Sequence, residues 1–473
     1  MPTFSENASS SHLRRLLAVL LVAPFMAQTD ATIANVATPS IRSQLAASGA
    51  AIELIISGYL IAFAVLLIPG ARLGRSYGYR RVYITGMALF SAASLGCGLA
   101  SAPAGLIVAR VLQGAGAALM FPQTLTGIQL HFSGRARARA IGLYAVALSS
   151  GAVVGQALGG ALVSADLAGS RWRSIFLINV PLGLIAAFAA ARVLPAEERR
   201  GRAGIDPAGV GVLSTAVLLV VLPLALGRSQ GWPAWTWASL AASLPVFALF
   251  LRTERRAERR GGAPLLKLEV LARPTVSWTL ATLLLATSTY YALLFTLAQY
   301  LQQGLGRTAL LSGLTLLPWV AAFGVAGQLV ARAPRRIAPL LPSIGCLVLA
   351  GAFTAVSASS FAGPDSEPLL LVLLGLGGLG LGIQFSAVIA RLTSIVPPAY
   401  ASEISGVSST TAALGGALGV AAFGSLYFGL GHATGALATR AFALTTAALA
   451  AAALFAAAAG HVARGYAMRD RHA

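Results

Sequence analysis

Residues 16–38 read LLAVLLVAPFMAQTDATIANVAT. At 1.5 Å per residue a helix of that length crosses the roughly 30 Å hydrocarbon layer of a bilayer. Arg14 and Arg15 precede the run as they would a secretory signal, but it stays apolar past Asp30 to Pro39 and so reads as a retained transmembrane helix. Thirteen further runs of similar length follow, near 51–70, 82–101, 103–125, 140–164, 174–192, 208–226, 234–251, 276–301, 310–331, 337–357, 368–388, 404–428 and 440–460. The expected fold class is therefore all-α, a polytopic membrane protein with 14 transmembrane helices.

Composition agrees. Apolar residues make up 57% of the 473 and charged residues 10%, with a mean hydropathy of +0.78. A soluble domain carries about 25% charged residues, so an ordinary cytosolic enzyme is excluded, and so is a disordered chain. The net charge of +20 would point a soluble protein toward nucleic acid. Here its placement matters more: with both termini cytoplasmic, 27 of the 34 basic residues fall inside and six outside, with Arg110 within a span. That bias orients the chain, requires an even number of passes and leaves no reason to invoke a nucleic-acid partner. Cys97 and Cys346 lie in apolar runs and form neither a disulfide framework nor a metal set.

The chain repeats itself. Gly70-Ala71-Arg72-Leu73-Gly74-Arg75 after helix 2 is echoed by Gly327-Gln328-Leu329-Val330-Ala331-Arg332 after helix 10, a shift of 257, and Gly155–Gly160 by Gly415–Gly419, a shift of 260. Helices 1–6 then correspond to helices 9–14. The expected organisation is an N-terminal six-helix bundle (1–192), a linker with two additional helices (193–275) and a C-terminal six-helix bundle (276–473). Two repeated bundles suit alternating access better than a channel.

Ionisable residues deep in a span mark functional sites by default. Asp30 and Arg110 lie at matching depths beneath the outer surface, with Gln113 one turn from Arg110 on the same helix face. A shift of 258 maps Asp30 onto Ser288, so the second half has no matching acid. Two readings stand: a proton-exchanging pair facing a water-filled cavity, or a static bridge between helices 1 and 4. Asn35, Gln113 and Gln156 in the first half, and Tyr290, Tyr291, Gln299, Trp319 and Gln384 in the second, are candidate substrate contacts with polar tips. Helix packing and interfacial anchoring account for each of them individually as well. The small residues spaced four apart from Gly151 to Gly159 allow close helix approach. No clustered acid pair, metal ligands, Ser/His arrangement or phosphate loop is present, so the sequence offers no catalytic residue, and a membrane-embedded enzyme is disfavoured.

These residues resemble the major facilitator superfamily, in particular its fourteen-helix drug:proton antiporter group. Asp30-Ala31-Thr32-Ile33-Ala34-Asn35-Val36 through Pro39 is similar to that group's first-helix signature. Arg110-Val111-Leu112-Gln113-Gly114 matches its fourth-helix motif, Gly151–Gly160 its antiporter motif, and Trp172, Arg173, Phe176, Asn179, Pro181 and Gly183 the start of helix 6. The resemblance implies a proton-driven exporter of small apolar or cationic drug-like molecules, of the kind that confers antibiotic resistance. It would work as a monomer in a bacterial cytoplasmic (inner) membrane, driven by the proton gradient without a cofactor. An importer or facilitator on the same fold is the alternative. Two positions depart from the group: Gln156 stands where proline is usual, and Arg75 where aspartate is usual, leaving Arg72, Arg75, Arg80 and Arg81 around Gly78 with no acid. In the family that aspartate helps lock the halves together. Glu403 opens helix 13, so either a reversed pairing with Arg75 or Arg72 forms the gate, or Glu403 simply favours a helix N-terminus.

Overall fold

The computed structural model describes residues 10–166, 169–195, 207–227, 230–259, 271–334, 336–362, 367–396, 400–430 and 435–469. Among them, fourteen helices are long and apolar enough to cross a membrane. The first six are α1 (Ser10–Gln44), α2 (Gly49–Tyr77), α3 (Tyr79–Leu99), α4 (Pro103–His131), α5 (Gly134–Ala165) and α6 (Arg171–Val193), the last opening with a 3-10 turn. Two more, α7 (Pro207–Leu226) and α8 (Ala234–Arg259), precede α9 (Pro274–Gln299), α10 (Leu311–Arg332), α11 (Leu341–Ala362), α12 (Glu367–Ile395), α13 (Ala401–Gly429) and α14 (Ala436–Arg469).

Local chemistry sets the ends. Ser48 caps α2 by accepting the Ala51 amide, and Pro103 and Pro274 occupy first-turn positions where a missing N–H costs nothing. Gly78 turns the chain between α2 and α3 at φ 92°, a conformation that suits glycine. Helix α1 outlasts its expected end at 38 and runs to Gln44.

Helix α1 packs on α5, α2 and α3 on α4, and α3 on α6; in the second half α9 packs on α13 and α14, α10 on α12, and α11 on α12 and α14. Glycines set the register of these crossings. Gly151 faces the Phe25 carbonyl and Gly155 that of Thr29, as Gly415 faces Leu284 and Gly419 faces Ser288. Gly116 lies on Phe90 as Gly380 lies on Leu349, and Gly114 on Tyr59 as Gly378 on Trp319. The repeat shift is thus 259–260 in helices α1–α3 (284 against 25, 319 against 59) but 264 in α4 and α5 (380 against 116, 415 against 151). This corrects the single shift expected from sequence: Asp30 corresponds to Thr289 rather than Ser288, and Gly155 to Gly419 rather than Gly415. The difference accumulates between Leu349 and Gly380, where local sequence similarity carries no register.

The inserted pair, α7 and α8, lies over one edge where the halves meet. Leu213, Val217 and Val221 of α7 and Phe250 of α8 form one apolar cluster with Ala64 and Ile68 of α2 and Val407 of α13.

Candidate functional site

Asp30 and Arg110 meet directly. Arg110 donates one guanidinium N–H to Asp30 Oδ2, and Asp30 Oδ1 accepts from Gln113 Nε2 at 2.7 Å and Asn179 Nδ2 at 3.0 Å. Arg110 Nε donates to the Ile55 carbonyl at 3.0 Å, and its guanidinium lies 4.5 Å over the Tyr59 ring and 5.6 Å from the Phe176 ring centre. Gln113 also donates to Ser94 Oγ at 2.8 Å. Helices α1, α2, α3, α4 and α6 therefore join one network around this carboxylate, which α4 and α6 touch directly. Every one of these contacts is charge-assisted or polar in a low-dielectric interior, where a completed network is strong and a broken one costly.

The pair is sealed. Asp30 is 0% exposed and Arg110 1% by side chain, so the expectation of a water-filled cavity around them is not met in this conformation. The same geometry moves Gln113 out of the substrate-contact group: it is fully buried as a partner of Asp30 and Arg110. Asn179 was legible in the sequence only as part of a motif; its role as an Asp30 partner follows from the crossing of α6 over α1.

At the membrane face where α2 ends and α13 begins, Arg72 and Arg75 of α2 both reach Glu403 of α13, across the boundary between the halves. The Arg72 NH1–Glu403 Oε1 distance is 3.2 Å, Arg75 contacts the same oxygen, and the Arg75 guanidinium lies 5.0 Å over the Tyr400 ring. Arg72 and Glu403 are 3% and 8% exposed, whereas Arg75 is 28% exposed. Ser405 Oγ donates to the Pro122 carbonyl at 2.8 Å, and Gly406 lies on Ala71. On the other edge Gly142 of α5 lies on Gly327 of α10. This membrane face is closed along both edges. Arg80 and Arg81 stand apart from this clasp, a correction to the expected gating group: Arg80 donates to the Ala191 carbonyl within the first half, and Arg81 is exposed. Gly78 contributes only the turn that separates α2 from α3.

Midway through the membrane, Gln28 donates to the Tyr291 hydroxyl at 3.0 Å across the halves. Tyr290 stacks on Trp319 with centroids 5.9 Å apart and meets Tyr291 edge-on at 5.0 Å, and Trp319 continues to Phe353 at 6.3 Å. Trp319 Nε1 and Gln384 Oε1 are buried without a hydrogen-bond partner. Gln384 Nε2 donates to the Thr282 carbonyl at 3.4 Å. The structure thus gathers Tyr290, Tyr291 and Trp319 into one aromatic cluster. Gln299 does not join it: eight residues beyond Tyr291, it lies roughly 12 Å farther along α9. Gln156 is half-buried on α5 against Gly313. The Asn35 side chain lies outside the described residues. Among the described residues no group of three or more His, Cys, Asp or Glu could hold a metal ion.

Two pseudo-repeated bundles, closed at one membrane face by contacts that cross between them, define a membrane transporter rather than an enzyme. The Major Facilitator Superfamily profile matches residues 20–420, and the chain belongs to that family. It is 36% identical over 422 residues to a probable actinorhodin transporter of Streptomyces coelicolor, covering 88% of this chain and 72% of the relative. It is 33% identical to the cephamycin export protein CmcT of Amycolatopsis lactamdurans, covering 88% and 85% of the two chains. Among solved structures it superposes on the proton:xylose symporter XylE with a TM-score of 0.63 at 12% identity, covering 93% of this chain and 95% of that one. That last likeness speaks for the fold alone.

Proposed function

We propose that the protein is a proton-coupled exporter of small, largely apolar or cationic organic molecules, working by alternating access as a single chain in a bacterial cytoplasmic membrane with both termini inside. The relative named for cephamycin export supports the direction of transport. The observation that carries proton coupling is the sealed network around Asp30. Protonating Asp30 removes the charge opposite Arg110, and a cation held 1% exposed without its partner is costly by about 3–5 kcal/mol. Opening the outer half and hydrating Arg110 relieves that cost, so proton uptake and conformational change become one equilibrium. The proton gradient is the energy source in this reading, and no cofactor is involved. The polar tips of Gln156, Trp319 and Gln384 and the faces of Tyr290 and Tyr291 are the substrate contacts we favour.

The complete hydrogen bonding of Asp30 also favours a second reading, in which the network is a fixed brace for the first half. Everted membrane vesicles given an imposed pH gradient, with efflux of a fluorescent cation followed, separate the two. Wild type responds to the gradient and Asp30→Asn, at equal folded amount, does not. Undiminished gradient-driven transport by Asp30→Asn leaves only the brace.

A further inference from the structure

The two edges that close the cytoplasmic side are pseudo-symmetric copies with different electrostatics. On one, Gly406 of α13 lies against Leu67, Ile68 and Ala71 of α2; on the other, Gly142 of α5 lies against Gly327 of α10. The registers of the two halves carry Gly142 onto Gly406, a shift of 264, and Leu67 onto Gly327, a shift of 260. The same registers carry Arg72 onto Arg332 and Glu403 onto Arg139. Where the first edge joins a guanidinium to a carboxylate at 3.2 Å, the second edge carries an arginine at both corresponding positions.

No carboxylate stands on α4, α5, α10 or α11, so among the described residues of those helices nothing balances the arginines. Arg139 and Arg332 are exposed, with exposed Arg135 and Arg336 beside them, while Arg137 is occupied by the Phe132 and Gln129 carbonyls. The first edge is roofed by α7, which packs on α2 and α13; the second is not. Directly toward the membrane interior from these arginines come exposed apolar side chains, Leu143 on α5 four residues after Arg139, and Val325 and Leu329 on α10 before Arg332. Cations at headgroup level above apolar surface form an amphiphile-shaped site, and a guanidinium fork matches phosphate oxygens.

We propose that the α5–α10 edge binds the headgroup of an anionic phospholipid of the cytoplasmic leaflet, whose phosphate supplies between Arg139 and Arg332 the negative charge that Glu403 supplies on the opposite edge. The acyl chains lie along Leu143, Val325 and Leu329. Closing this edge then depends on lipid, whereas closing the other is intrinsic to the chain.

The test uses the full chain in vesicles of phosphatidylcholine with or without phosphatidylglycerol, with Cys97 and Cys346 replaced by alanine and Ser405→Cys as a reporter. Ser405 is 1% exposed in the closed state, so its maleimide labelling reads opening of the cytoplasmic side independently of transport. Phosphatidylglycerol slows labelling about tenfold in the reporter background, and native mass spectrometry finds it retained. Arg139→Gln with Arg332→Gln abolishes both effects, while Arg15→Gln with Arg81→Gln, which removes as much charge elsewhere on the same side, leaves them. Arg139→Glu, which places a carboxylate where the register puts one on the opposite edge, closes in phosphatidylcholine alone. The proposal is overturned if the Arg139/Arg332 pair retains the lipid effect, if both double variants lose it equally, if inorganic phosphate substitutes for the lipid, or if Arg139→Glu stays lipid-dependent.

Discussion

Glu403→Gln is the most direct perturbation of the clasp between α2 and α13. Two arginines share this one carboxylate, and the more buried, Arg72 at 3% exposure, has little water to turn to when the charge is removed. Removing one partner of a buried ion pair costs about 3–5 kcal/mol; the 28% exposure of Arg75 returns part of that to solvent, so we take about 3 kcal/mol against the closed state. At about 1.4 kcal/mol per tenfold, the closed-to-open ratio falls roughly 100-fold. Maleimide labelling at Ser405→Cys, with the native cysteines removed, should accelerate by about that factor while the thermal unfolding profile stays cooperative. Charge reversal supplies the sharper comparison. Arg75→Glu combined with Glu403→Arg keeps two cations and one anion in the clasp and should return labelling toward the parent rate, whereas either reversal alone should not. Labelling unchanged by Glu403→Gln, or a double reversal no better than the single ones, would refute an energetic role for the clasp.

Other perturbations follow from the same geometry. Asn179→Leu removes one donor from Asp30 and should lower thermal stability by about 1–3 kcal/mol, the usual cost of leaving a buried acceptor short of a partner, as read by fluorescence-detected unfolding. Gly142→Ala places a methyl group 2.8 Å from the Gly327 Cα, so it should wedge α5 from α10 and speed labelling at Ser405→Cys even with the clasp intact. Gln384→Met removes a buried carbonyl that has no partner at nearly constant volume; unfolding should be unchanged or slightly later, and if Gln384 contacts cargo, KM for export should rise while the unfolding profile holds.

The number of spans was legible because hydrocarbon thickness sets a minimum length for every crossing helix, whereas their ends were not, several helices running six to nine residues past the apolar stretch. The pairing of Asp30 with Arg110 was legible for a related reason: a lone acid and a lone base at equal depth have few alternatives. What surrounds them was not. Asn179 and the Ile55 carbonyl reach the pair through crossing angles that no linear spacing encodes, and their closeness seals a site that depth alone suggested was wet. The clasp was legible down to Glu403, but Arg80 and Arg81 sit in the same arginine-rich turn and face elsewhere; charge composition says how many cations a loop holds, while helix rotation decides which of them cross to the other half.

The two halves share a backbone and divide the chemistry. Through the registers fixed by the glycine crossings, Asp30 becomes Thr289 and Arg110 becomes Leu374, so the second half carries no ionisable copy of the buried pair. Tyr59, which covers the Arg110 guanidinium, becomes Trp319, which stacks instead on Tyr290 and Phe353. The same position thus shields a cation in one half and extends an aromatic surface in the other. In the proposed mechanism a proton taken up at Asp30 acts on the first bundle, and cargo held at Tyr290 and Trp319 acts on the second. The two bundles touch through several contacts, among them the Gln28–Tyr291 hydrogen bond, the Arg72–Glu403 clasp and the Gly142–Gly327 crossing. Gln28→Leu cuts the first of these links and leaves Asp30, Tyr290 and Trp319 unchanged. If coupling runs through it, export driven by a pH gradient should fall while substrate binding measured without a gradient is retained; equal loss of both would place Gln28 in the cargo site instead.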